Sequence, residues 1–115
     1  GIPCLYYGSE WGTEGEKAPD NDYALRPCFE KPKPNELTEF IQKLIHLRQT
    51  HEALGNGTYR NVIIQNHQLV FERKTESERI FVAINASDAP FTARHGDLTG
   101  TAVELPPYSV QYVKL

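Results

Sequence analysis

The chain is poor in the features that mark a stapled, zinc-built, membrane-spanning or nucleic-acid-binding protein. Only two cysteines, Cys4 and Cys28, occur in 115 residues, which is no disulfide framework, and Cys4 lies in an apolar run where a thiol reads as a small buried hydrophobe. The four histidines, His46, His51, His67 and His95, form no i, i+4 pair and have no cysteine or carboxylate at ligand spacing, which argues against zinc. No apolar run approaches the ~18 residues that a bilayer span needs, and no charged-then-apolar leader opens the chain. The net charge is −3 and the basic residues are scattered, so no stripe tracks phosphates. Neither membrane nor nucleic acid is an expected partner. Gly1 stands where a start methionine would, so the natural N-terminus is expected upstream. Asn56-Gly57-Thr58 and Asn85-Ala86-Ser87 match the glycosylation sequon, a triplet that arises often by chance and matters only in a eukaryotic secretory context.

What is present divides into three stretches. The first, Gly1-Ile2-Pro3-Cys4-Leu5-Tyr6-Tyr7-Gly8-Ser9-Glu10, reads as a buried strand over 1–8 that hands over to a loop, with no partner strand nearby in sequence. Residues 11–35 are rich in Gly, Pro, Asp and Glu and read as one long loop, the kind that in compact proteins usually carries function. Asn35 is a good N-cap for a helix over 36–54, with Glu36 and Glu39 in the first turn. Leu37, Phe40, Ile41, Leu44, Ile45, Leu47 and Leu54 form its apolar stripe, and Gly55-Asn56-Gly57 ends it.

From Thr58 the period becomes two, with runs at 58–65, 68–74, 79–86, 101–105 and 108–115. A slip at Val113 suggests a bulge or a strand end. Thr75-Glu76-Ser77-Glu78 reads as a solvated hairpin turn, and Tyr59, Phe71, Phe81, Phe91, Tyr108 and Tyr112 fall mostly on positions expected of core. Short antiparallel strands without helices between them argue for a small β-sandwich.

Gly1, Pro3, Tyr6, Gly8 and Glu10 match a Gly-x-Pro-x-x-Tyr-x-Gly-x-Glu pattern, and the chain thereby resembles the C-terminal part of the α-amylase family of glycoside hydrolases. The resemblance extends through the helix and its Gly-Asn-Gly stop to the sandwich. The fold it implies is an α+β fragment, mainly β: the last β-strand, loop and α-helix of a (β/α)8 barrel (1–54), followed by a small antiparallel β-sandwich (55–115). A barrel alone takes roughly 250 residues, so the resemblance implies that the catalytic carboxylates lie upstream of Gly1 and that this stretch alone is inactive. It also places the usual ligands of the family's calcium upstream, so no cofactor is expected here, although calcium is possible in the full-length enzyme.

Active sites of such barrels are built from loops after the strands. Asn21-Asp22-Tyr23-Ala24-Leu25-Arg26 resembles the family's Asn-Asp-Pro-x-x-Arg motif, with Tyr23 in place of the proline. By that resemblance Asp22 and Arg26 hydrogen-bond a sugar one unit beyond the cleaved residue, in an enzyme acting on an α-glucan or maltooligosaccharide. A carboxylate accepting hydroxyls and a guanidinium donating in a fixed fork suit that task. Read without the resemblance, the same two residues make a loop-stabilising salt bridge. Tyr7 and Trp11 either stack on sugar or pack locally. The isolated stretch, having lost the strand's neighbours and the helix's cover, is expected to self-associate or to dock its helix on the sandwich. A sandwich acting by itself as a carbohydrate-binding or structural module is the alternative.

Overall fold

The computed structural model describes residues 2–115. They form two compact units, Gly1–His46 and Leu47–Leu115, with Gly1 itself outside the described residues. In the first unit the expected strand carries no ladder: residues 2–6 have no regular secondary structure. A strand is defined by a hydrogen-bonded neighbour, and none of the described residues of this unit supplies one. Cys4, expected to be buried, is accordingly exposed, and it and Cys28 are both free thiols.

The long loop holds two short 3-10 turns, Ser9–Trp11 and Tyr23–Leu25. Helix α1, Glu36–Thr50, starts where the sequence places its cap. The Thr38 amide donates to Asn35 Oδ1 at 3.2 Å, while the Asn35 amide donates to Thr38 Oγ1 at 3.1 Å, a reciprocal box that satisfies two otherwise orphaned donors. The apolar face of α1 stays open: Leu37, Phe40, Leu44 and Ile45 are 40–47% exposed.

The expected single helix is two. His51 takes an extended conformation (φ −117°, ψ 110°) and caps a second helix, α2, Glu52–Asn56. The break follows from packing, because it lets Leu47, Ala53 and Leu54 all reach Ile80 and Val82 on one sheet face. Propensity alone would have carried the helix through.

The second unit contains β1 Thr58–Ile64, β2 Gln68–Lys74, β3 Arg79–Asn85, β4 Phe91–Ala93, β5 Val103–Leu105 and β6 Ser109–Lys114. An antiparallel sheet runs in the order β1-β2-β3-β6, and β4-β5 form a two-stranded ribbon. Val70, Phe81 and Ala83 from the sheet pack with Ala93, Val103 and Leu105 from the ribbon, and Leu98, from the 3-10 turn Gly96–Leu98 between the ribbon strands in sequence, is buried in the same cluster. This two-layer arrangement is the mainly β fold expected. Strand β6 has no bulge, since Val113 pairs opposite Phe81 and both join this core, while Tyr112 pairs opposite Val82 on the other face. Alternation is intact there, and the one register shift lies in β1 between Asn61 and Ile63. Of the six aromatics expected inside, Phe81 is buried and Phe71 and Phe91 partly so, whereas Tyr59, Tyr108 and Tyr112 are 52%, 74% and 49% exposed. A phenol rim keeps its hydroxyl wet at little cost.

Candidate functional site

The loop residues singled out in the sequence lie on a scaffold centred on Phe29. Gly8 and Gly12 flank the first 3-10 turn with left-handed backbone (φ 90° and 66°), a conformation open to glycine without strain. A Cβ at Gly8 would also lie 3.1 Å from the Phe29 ring. This close approach lets Trp11 and Tyr7 meet Phe29 edge-on, with ring centroids 4.7 and 6.0 Å away. Tyr6 stacks obliquely on Tyr7 at 4.7 Å. Two bonds hold this turn to the helix start: Thr38 Oγ1 donates to the Glu10 carbonyl at 2.7 Å, and Asn35 Nδ2 to the Trp11 carbonyl at 3.0 Å. Trp11 is thus a loop anchor in this arrangement. Tyr7 remains 46% exposed, and its phenol is pushed above its ordinary pKa by partial desolvation and by Tyr6, against the opposing pull of the Arg26 charge.

The second turn presents Asp22 and Arg26. Asn21 Oδ1 accepts the Tyr23 amide at 3.1 Å, the Leu25 amide donates to the Asp22 carbonyl at 3.0 Å, and the Arg26 amide to the Tyr23 carbonyl at 3.2 Å. This Asx-type turn does locally what a proline at position 23 would do by fixing φ. The backbone of Gly15 is pressed against it, for a Cβ there would fall 2.2 Å from the Ala24 carbonyl oxygen. Asp22 Oδ2 lies 3.5 Å from Arg26 Nη2, and Asp22 Oδ1 lies 3.9 Å from Lys17 Nζ. Charge-assisted hydrogen bonds are usually ~2.7–2.9 Å, and these three side chains are 40–72% exposed. Such a pair is worth about 0–1 kcal/mol to stability. It leaves lone pairs and guanidinium protons directed at solvent.

The structure therefore brings Asp22 and Arg26 together, and Arg26 close enough to Tyr7 to act on its phenol. It also adds Lys17 and Phe29, which the sequence reading did not single out. Lys17 was one of many scattered bases, and a lone Phe29 between Cys28 and Glu30 carries no periodicity. Among the described residues no group of three or more His, Cys, Asp or Glu side chains converges where a cation could sit. Among the described residues no helix is long and apolar enough to cross a membrane.

No family model matches the chain. It is 33% identical over 99 residues to a cyclomaltodextrinase from a Bacillus species, a match covering 82% of this chain and 17% of the relative. It is 33% identical over 107 residues to a cyclomaltodextrin glucanotransferase from Bacillus sp. (strain 38-2), covering 92% and 14%. Among solved structures, it is similar to a three-domain cyclomaltodextrin glucanotransferase over 99% of this chain and 29% of that one, with a TM-score of 0.76 and 25% identity. A solved cyclomaltodextrinase matches 94% of this chain and 22% of its own, with a TM-score of 0.69 and 31% identity. The chain thus spans 17% or less of the length of these two curated relatives.

Proposed function

The chain belongs to the α-amylase family of glycoside hydrolases, matching the C-terminal part of its members, and on that premise we propose that it is part of a retaining enzyme acting on α-glucans or maltooligosaccharides. In this reading residues 1–54 are the end of the catalytic barrel and residues 55–115 its C-terminal β-domain. The exposed apolar face of α1 is the side that the rest of the barrel covers. One carboxylate attacks the anomeric carbon and a second protonates the leaving oxygen, roughly 5–5.5 Å apart as retention requires. Both come from outside these residues, and the chain alone does not catalyse.

Asp22 and Arg26 hold a sugar hydroxyl group pair beside the reacting ring. The observation that carries this is their pairing at 3.5 Å on an exposed, backbone-braced turn. The contact is too long and too wet to be needed for the fold, yet it is held in register for a ligand. In the full-length enzyme, Arg26→Ala is expected to lower kcat/KM on maltooligosaccharides by roughly 10- to 150-fold, the equivalent of ~1.5–3 kcal/mol for a hydrogen bond to a charged group. An unchanged kcat/KM in a folded variant would refute the assignment.

Carbohydrate binding by the β-domain is the second reading. Exposure of Tyr59, Tyr108 and Tyr112, where core packing was expected, is what favours it. Maltoheptaose titrated against the chain, with Tyr59→Ala and Tyr108→Ala as controls, separates the two, since a loop-only site is indifferent to both.

A further inference from the structure

Helix α2 ends in Asn56-Gly57, and the glycine is sterically imposed. A Cβ at Gly57 would lie 2.5 Å from the Ala53 carbonyl oxygen and 2.9 Å from both the amide nitrogen and the carbonyl oxygen of Lys74. Those are backbone atoms that cannot swing away. Asn56 itself is exposed, so water and base reach its carboxamide. A residue without a side chain after asparagine leaves its own amide nitrogen unhindered in attacking the asparagine Cγ. Packing thereby preserves a chemically labile dipeptide on the surface.

We propose that Asn56 is a site of spontaneous deamidation whose rate is set by the docking of α2 on the sheet. The Gly57 nitrogen loses its proton to solvent base and bonds to Asn56 Cγ. The Cγ–Nδ2 bond then breaks, the nitrogen takes up a proton and leaves as ammonia, and a five-membered succinimide remains. Water opens that ring at either carbonyl, giving aspartate or isoaspartate at position 56.

Docking restrains the first step. The Gly57 amide donates to the Ala53 carbonyl at 3.0 Å, so its proton is engaged and its nitrogen is held in the helix-end geometry. That carbonyl is fixed in turn by Arg73, whose Nε donates to it at 3.1 Å while Nη2 donates to the Gly55 carbonyl at 3.2 Å. Glu78 Oε2 accepts the Ala53 amide at 3.0 Å, and Arg48 Nη1 donates to the Leu54 carbonyl. Ala53 and Leu54 are buried against Ile80. Ring closure needs the Gly57 nitrogen to turn toward Asn56, which breaks its bond to Ala53. The reaction therefore proceeds from the undocked state. Its product works against redocking, because a new negative charge appears at a helix C-terminus, in a depression that Asn56 shares with two carboxylates, Glu52 and Glu76, and a single cation, Lys74. Isoaspartate also lengthens the backbone where Gly57 has no spare room.

The test is peptide mapping of the chain aged at mildly alkaline pH, following the amide-to-acid mass change and isoaspartate at position 56, folded and in urea. The folded chain is expected to react at least about tenfold more slowly than the unfolded one, corresponding to an opening free energy of ~1.4 kcal/mol or more. Glu78→Gln is expected to speed the folded reaction several-fold, and Asn56→Gln to abolish the signal. Should Glu78→Gln not fold, hydrogen exchange at the Gly57 amide replaces it, and exchange and deamidation must rise together in sub-denaturing urea. Equal rates in the folded and unfolded chain, exchange and deamidation that vary independently, or product confined to another asparagine would each overturn the proposal.

Discussion

Asn85 is 1% exposed and uses its whole side chain. Nδ2 donates to the carbonyls of Ala89 at 2.8 Å, Pro106 at 3.0 Å and Leu105 at 3.4 Å. Oδ1 accepts the Ser87 hydroxyl at 2.8 Å, Gln68 Nε2 at 3.1 Å and the Ser87 amide at 3.2 Å. One residue at the end of β3 thus ties together β2, the 86–89 turn and the β5–β6 connection. Asn85→Ala removes these bonds and takes the Nδ2 donor from the buried Leu105 carbonyl, while the Ala89 and Pro106 carbonyls keep the Ser87 and Ser109 hydroxyls as donors. A net bond is worth ~0.5–1.5 kcal/mol and an orphaned buried group costs ~1–3 kcal/mol, so a non-additive total of about 3–4 kcal/mol is expected. At about 4–8 °C per kcal/mol for a domain this small, Tm falls by roughly 12–30 °C. Asn85→Asp sharpens the test. A carboxylate there faces three carbonyl oxygens, so it folds protonated with a raised pKa. A raised acid pKa means stability held at low pH and lost as pH rises past the unfolded value. Thermal melts of both variants across about pH 4 to 8 decide the matter. An Asn85→Ala shift of only a few degrees, or an Asn85→Asp variant indifferent to pH, would refute this account of the hub. The same burial closes the Asn85-Ala86-Ser87 triplet to glycosylation in the folded state.

Glu78 is held at about pKa 2, against an ordinary 4.5, by Lys114, His51 and the Ala53 amide. A depressed carboxyl stabilises above its unfolded pKa, so wild-type Tm should fall as pH drops from about 4.5 toward 2. Glu78→Gln should flatten that slope, and an identical acid profile would remove Glu78 from the explanation. Gly57→Ala should destabilise by about 1–3 kcal/mol because its Cβ meets backbone, whereas Gly55→Ala, with nothing within 4 Å, should be neutral or stabilising by up to ~1 kcal/mol. Denaturant midpoints that rank the two the other way would contradict the packing at α2. Tyr108 is 74% exposed with φ 49°, so Tyr108→Gly should gain about 1 kcal/mol by relieving left-handed strain. A loss of stability in urea would show that its ring does more than the burial indicates.

Three strands, β1, β2 and β3, begin where the period-two runs begin and end within one residue of them, because alternation of apolar side chains is a local property. The Asn35 cap was equally local, being written in residues three apart. Strand β4 escaped because Phe91-Thr92-Ala93 is too short to show a period. The slip at Val113, which suggested a bulge or a strand end, is no bulge: Val113 joins the core behind Phe81, Tyr112 pairs opposite Val82 on the other face, and the strand ends one residue later at Lys114. Glu76 and Glu78 look alike in a turn, yet only Glu78 is drawn in, by a histidine and a lysine far away in sequence.

At the candidate site, the Asp22 and Arg26 spacing was legible as a motif. Phe29 and Lys17 were not, since only the folded loop brings them to the other residues. The sequence by itself determined the order of elements, their period and caps, and the side chains available to meet a sugar. Tertiary structure decided the rest: where the helix breaks, which tyrosines face water, which glutamate of the 75–78 turn is drawn into ion pairs and which glycines admit no side chain. Each of those depends on atoms brought into contact across long chain separations, where burial and Coulomb energy outweigh local preference.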